Sequence, residues 1–188
     1  ITDTSTSIYT YLSQTKGMSE DVAKQMTAQI TARGKEVNIM YNFDETKVIN
    51  TFNAHCLLHF AKDHGLQDQA KERLLKAYFT EAENVDDHAN LLRLGEEIGL
   101  DRMQLDHVLK EKVYTQAVQA DMDLAHQFGV GGVPFFVFNR KYAVSGAQES
   151  PVFLDTLLKS FGEWKEKNPN SQMTVKEGES CAPDKECE

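Results

Sequence analysis

The stretch that most restricts what this chain can become is Val133-Pro134-Phe135-Phe136-Val137-Phe138, an unbroken apolar run entered through Gly129-Val130-Gly131-Gly132. Aromatic and β-branched residues in a short run bounded by glycines read as a strand. Apolar on both faces, such a strand belongs inside a sheet that is covered on both sides. Asn139-Arg140 stand where a tight hairpin turn falls, Lys141 to Ser145 read as the return strand, and Gly146 ends it. Two strands alone are marginal in water. The run over 133–138 is therefore expected to be central, with the return strand on one edge and a further partner on the other.

The upstream sequence offers no comparable strand, because residues 1 to about 127 read as helices. Ile8, Tyr11 and Leu12 lie in a short periodic stretch over 5–13 that closes at Gly17. Ser19 is an expected N-cap, with Glu20 and Asp21 in the first turn, where acids favour the helix dipole. Val22, Met26 and Ile30 then make one apolar face, and Gly34 stops it. Val37, Ile39 and Tyr41 form a short extended run that could be a strand or only loop. Asn50 or Thr51 caps a helix with Phe52, Cys56, His59 and Phe60 on one side. Further helices are expected over 67–79, over 86–98, from a cap at Asp101, and over 114–128. After the hairpin, Ser150 and Pro151 open a last helix with Phe153, Leu154, Leu157, Leu158 and Phe161, proline being favoured at a first helical position. From Lys165 the chain is polar.

With 29 acidic against 20 basic residues and a formal charge of −9, no basic stripe offers a nucleic-acid footprint. No apolar run approaches the ~20 residues of a membrane helix, and no charged-then-apolar signal segment opens the chain. A cytoplasmic location is the expectation. Ile1 is not an initiator methionine, so the chain is expected to follow something.

Three cysteines, Cys56, Cys181 and Cys187, are too few and too uneven for a disulfide scaffold, and there is no C-x-x-C. Cys56 sits mid-helix on an apolar face, where a free cysteine is usually a small buried hydrophobe. His55 and His59 share a helix face at i, i+4, but two histidines without a third ligand do not make a metal site. No metal and no cofactor are expected. Cys181 and Cys187 lie in the polar tail, with Pro183 and Asp184 able to turn the chain between them.

Taken together, Phe128 to Phe138 and Lys141-Tyr142-Ala143-Val144-Ser145-Gly146-Ala147-Gln148 resemble the second half of a thioredoxin fold, specifically the FrnE-type branch of the DsbA family. Asn50 to His55 and Ala77 to Glu81 resemble the helical insertion of that branch, so the resemblance covers about residues 1–163. It implies an α/β thioredoxin-like fold of DsbA type with a large all-helical insertion, this chain being mostly helical with a C-terminal β-hairpin and helix. The implied organisation is a helical insertion domain and return helix over 1–127, the strand-strand-helix half of the fold over 128–164, and a polar tail with a cysteine pair over 165–188.

On the resemblance, Pro134 is a cis-proline that begins the strand beside the redox dithiol, and Val133 turns toward substrate. Both are the implied substrate-binding residues. A proline there presents an extended backbone template and places no donor N–H of its own beside a reactive sulfur. The family's C-x-x-C lies at the start of its first helix, expected before Ile1, so no catalytic residue is expected within the chain and the chain alone is expected to be inactive. A dithiol site needs one low-pKa thiolate at a helix N-terminus and a resolving partner. The FrnE-type branch often carries a second cysteine pair in a C-terminal Gly-Pro-Asp-like stretch. Cys181 and Cys187, at C-x5-C rather than one residue closer, are an auxiliary redox pair or inert thiols.

The implied activity is thiol–disulfide oxidation or isomerisation of protein or small-molecule disulfides. The implied partners are protein or peptide thiols and disulfides, without nucleic acid or membrane. Two other readings stay open. One is a relative of 2-hydroxychromene-2-carboxylate isomerase and kappa-type glutathione transferase, with serine for the first cysteine and glutathione as partner. The other is a non-catalytic, chaperone-like peptide-binding module.

Overall fold

A computed structural model of the chain describes residues 6–169. In chain order the elements are α1 (Ile8–Lys16), α2 (Glu20–Glu36), α3 (Phe52–Asp63), α4 (Gln67–Phe79), α5 (His88–Glu97), α6 (Arg102–Lys110), α7 (Thr115–Gln127), β1 (Phe135–Phe138), β2 (Tyr142–Ser145) and α8 (Ser150–Lys167). The chain divides into two compact units, Ile1–Ala125 and His126–Glu188.

The first unit is helical, and its helices begin where short polar side chains can satisfy free backbone N–H groups. Ser7, Ser19, Asp87 and Asp101 each accept from the backbone three residues on, and α5, expected over 86–98, starts two residues later at His88, behind its cap Asp87. Thr51 is the N-cap of α3 by position, but Asn50 does the chemistry, its Oδ1 accepting from the Phe52 N–H at 2.8 Å. The core gathers α3 to α6: Leu57, Leu91, Leu94 and Leu105 are each no more than 1% exposed. Gly95 lies under Leu105, where an added Cβ would come within 2.3 Å of its Cδ2.

The apolar face expected of α2 is not its buried one. Val22, Met26 and Ile30 are 43–48% exposed, whereas Ala23, Thr27 and Gly34 are buried. Small residues let other elements approach closely: the Tyr41 ring rests where a Gly34 Cβ would stand. Asn38, at φ 61°, turns the chain out of α2, and residues 39–42 follow as loop rather than strand.

In the second unit β1 and β2 pair antiparallel, Phe135 opposite Ser145 and Phe138 opposite Tyr142. Asn139 and Arg140 both take positive φ, 49° and 55°, the two-residue turn whose twist matches a hairpin. The strand begins two residues later than the apolar run, at Phe135, although the Gly146 N–H still reaches the Pro134 carbonyl at 2.9 Å. Helix α8 covers one face, Phe153 meeting Phe136 edge-on at 4.8 Å while Val144 is buried. Among the described residues the sheet has two strands, and within this unit its other face, with Phe135 and Val137, meets no helix. The helix also outruns expectation, continuing to Lys167 rather than yielding to polar chain at Lys165.

Candidate functional site

The site that the sequence singles out is the entry to β1. Val133 is 89% exposed, where burial is the usual state of a valine, and Pro134 beside it is exposed as well. The Val133–Pro134 bond is cis. Proline begins the pairing without contributing a donor, so the strand starts with a carbonyl, which Gly146 takes up.

The hairpin that presents this pair is clipped to α8 by charge. The Lys141 ammonium donates to Glu163 Oε2 at 2.6 Å, and the Tyr142 hydroxyl donates to the other oxygen of the same carboxylate. Lys141 holds the Glu163 carboxyl below its ordinary range, with Tyr142 adding to it, and Glu163 raises Lys141 in turn. Lys159 stands 4.9 Å from the Tyr142 ring centroid. Sequence reading found the strands and helix but not this clip, because its partners are 22 and 21 residues apart.

Cys56, the free thiol within the described residues, is 2% exposed, and burial pushes its pKa up. Both properties oppose a nucleophilic thiolate. His59 faces Asp121 at 2.9 Å and stacks on Tyr114, whose hydroxyl donates to Asp63 at 2.6 Å. These side chains fasten α3 to α7. No group of three metal-ligating side chains occurs among the described residues. Cys181 and Cys187 lie outside them. No described helix is long and apolar enough to cross a membrane.

A strand entered through an exposed cis X–Pro step, its hairpin partner and a terminal helix on one face make up the second unit. Residues 10–158 match the DSBA-like thioredoxin domain family, and the chain belongs to that family. The crystal structure of a probable DsbA oxidoreductase from Streptomyces coelicolor is 31% identical and superposes with a TM-score of 0.78, covering 95% of this chain and 75% of that one. An uncharacterized protein of Bacillus subtilis (strain 168), YwbO, is 28% identical over 96 residues, 50% of this chain. That match spans 48% of YwbO, about half the length of the curated relative. The fold is the DsbA-like thioredoxin fold, mostly helical, with a small antiparallel strand pair and a final helix.

Proposed function

We propose that this chain is the substrate-presenting part of a thiol–disulfide oxidoreductase or isomerase of the FrnE-type branch, acting on protein or small-molecule disulfides. The observation that carries the reading is the family match over residues 10–158 together with the likeness to a probable DsbA oxidoreductase. In this reading residues 1–127 are the helical insertion and 128–164 the second half of the thioredoxin fold. The dithiol belongs to polypeptide preceding Ile1. Its thiolate attacks a substrate disulfide, forms a mixed disulfide and expels the other substrate sulfur as thiolate. The resolving cysteine then attacks the mixed disulfide, leaving the enzyme oxidised and the substrate reduced.

Val133 and Pro134 take the substrate's extended chain alongside the strand entrance. Their exposure supports this, since a substrate backbone needs an open, donor-poor edge beside the reacting sulfurs. Cys181 and Cys187 act as an auxiliary pair that exchanges with the main dithiol.

Insulin-disulfide reduction, measured on the protein with its preceding residues and on residues 1–188 alone, tests the reading. Turnover is expected from the former and none from the latter. In the longer protein Val133→Asp should raise KM about tenfold, the cost of setting a charge against an apolar contact. Activity that persists in residues 1–188 and vanishes in Cys181→Ser would move the active site to the tail and sink the proposal.

A further inference from the structure

A second feature lies in the helical unit and owes nothing to the redox reading. Between α4 and the loop at 38–41 the surface opens into a cleft of about 790 Å³. One wall is aromatic and held from several sides. Tyr41 stacks on Phe43 at 5.0 Å and meets Phe79 edge-on at 5.7 Å, and a Cβ on Gly34 would come within 2.7 Å of its ring. Phe79 in turn meets Tyr78 edge-on at 4.8 Å. Rings in stacked and edge-on contact fix one another's planes, so this wall is formed before anything binds. The Asn42 N–H donates to the Phe79 carbonyl at 2.7 Å and Thr80 Oγ1 to the Met40 carbonyl at 2.6 Å, which ties the loop to the end of α4. Leu75 and Met40 line the cleft and stay 42% and 55% exposed, so apolar surface there is left to cover. Mostly apolar clefts of roughly 300–1,000 Å³ with a few polar groups are the usual form of a small-molecule site.

Charge argues against an ion as the occupant. The lining sets Arg73 and Lys76 against Glu72. Arg73 donates to Glu81 at 2.7 Å and to Glu97 at 2.6 Å, and Lys76 stands 3.6 Å from Glu81, so both cations already have carboxylates. An anion would compete with Glu81 and Glu97 for cations they hold. A cation drawn to Glu72 would face Arg73 and Lys76 in the same lining. Either ion would also give up water to enter an apolar cleft. Neutral polar groups remain: the side-chain amides of Asn38 and Gln69 lie in the lining and form no hydrogen bond among the described residues. A primary amide both donates and accepts without charge.

We propose that this cleft binds an uncharged, flat aromatic compound that carries a hydroxyl or carbonyl group. Its ring packs on Leu75 and against the aromatic wall at Phe79, and its polar group bonds to the Gln69 amide. Apolar burial supplies the affinity, while the matched charges of the lining supply selectivity against ions.

Fluorescence titration of the full chain with 2-naphthol at neutral pH tests this. A single saturable site is expected, at which naphthalene-2-sulfonate and 2-naphthyltrimethylammonium bind at least tenfold more weakly. Leu75→Asp should weaken 2-naphthol at least tenfold, as expected for setting a charge against an apolar contact. Gln69→Ala should weaken it about threefold, the scale of one neutral hydrogen bond. Leu157→Asp, on the exposed side of α8, should leave it unchanged. Binding unaffected by Leu75→Asp, or either ion binding as tightly as 2-naphthol, overturns the proposal. So does loss of binding in Leu157→Asp, which would place the probe on α8. Should Leu75→Asp lose its helical circular dichroism, Gln69→Ala at its exposed position decides, and unchanged affinity there overturns the proposal.

Discussion

In the first unit the large aliphatics of α3 to α6 close on one another, and Leu57, Leu91, Leu94 and Leu105 are at most 1% exposed. In the second, Leu154, Leu157 and Leu158 of α8 are 52–58% exposed, and Phe136 and Val137 of β1 about 40%. Composition does not separate them, for both are built from strongly amphipathic elements. The difference lies in how many elements each unit can set against an apolar face. Four helices enclose a core, whereas a hairpin and one helix cover a single sheet face and leave the outer side of that helix bare. A two-stranded sheet with one helix is near the lower limit of what burial can stabilise.

The largest expected effect follows from that contrast. Leu105→Ala removes a fully buried side chain that sits on Gly95 and should cost about 2–5 kcal/mol in urea unfolding. Leu157→Ala, at a site 52% exposed, should cost under about 1 kcal/mol. Equal costs would show that α8 is covered and would break the comparison.

Next in size is the charge cluster that ties α4 to α5. Arg73 donates to Glu81 and Glu97, and Arg93 bridges Glu97 and Glu83. Arg73→Ala strips one donor from two carboxylates and should cost about 1–2 kcal/mol, more than an isolated exposed pair. The Arg73 guanidinium holds the Glu97 carboxyl below its ordinary value. A depressed carboxylate stabilises the fold above its unfolded pKa and loses that contribution as pH falls through the folded one. The difference between wild type and Arg73→Ala should therefore be full at neutral pH and shrink below about pH 4.5, the ordinary glutamate value. A difference that stays constant down to pH 3 would assign the cost to packing.

A smaller effect is expected at the hairpin. Glu163→Gln weakens the clip on Lys141 and Tyr142, so the β1 and β2 amides should exchange with deuterium faster, with α3 and α5 unchanged. Exchange that accelerates equally in both units would mean that they unfold together.

Much of this was legible in the sequence for local reasons. Ser19 and Asp101 announce helix starts because the cap and the N–H it satisfies are three residues apart. Asn139-Arg140 announce the turn because two residues between two apolar runs leave little choice, and the run around Pro134 carried the family. The sequence places the start of α5 at Asp86, two residues early, because two adjacent aspartates look alike in sequence, and the Asn84 side chain takes the Asp86 N–H. What stayed hidden depends on distance along the chain. Periodicity shows that Val22, Met26 and Ile30 share a face, but not that α2 buries the smaller face beside it. The Arg73–Glu97 and Lys141–Glu163 pairs, 24 and 22 residues apart, exist only once the helices are packed.

The smallest effect concerns the aromatic fastening of α7 within the helical unit. Tyr114 is half-buried against Phe60 and His59, and its hydroxyl donates to Asp63. Burial, and then the bond to Asp63, push its pKa up to about 12 from an ordinary 10.0. A phenolate there would lose water and face a carboxylate, so the folded state holds the proton more tightly than the unfolded one. Raised pKa values stabilise fully below the unfolded value and cease to do so as pH climbs through the folded one. The window is therefore pH 10 to about 12. Burial also raises Tyr9 and Tyr78, so the loss in wild type alone would be ambiguous. Those residues are common to Tyr114→Phe and cancel in the difference. The stability of wild type relative to Tyr114→Phe, from urea unfolding at pH 9 and pH 11.5, should shrink at the higher pH. If the gap is the same at both, Tyr114 is not held by Asp63, and among these polar bonds only His59–Asp121 fastens α7 to α3.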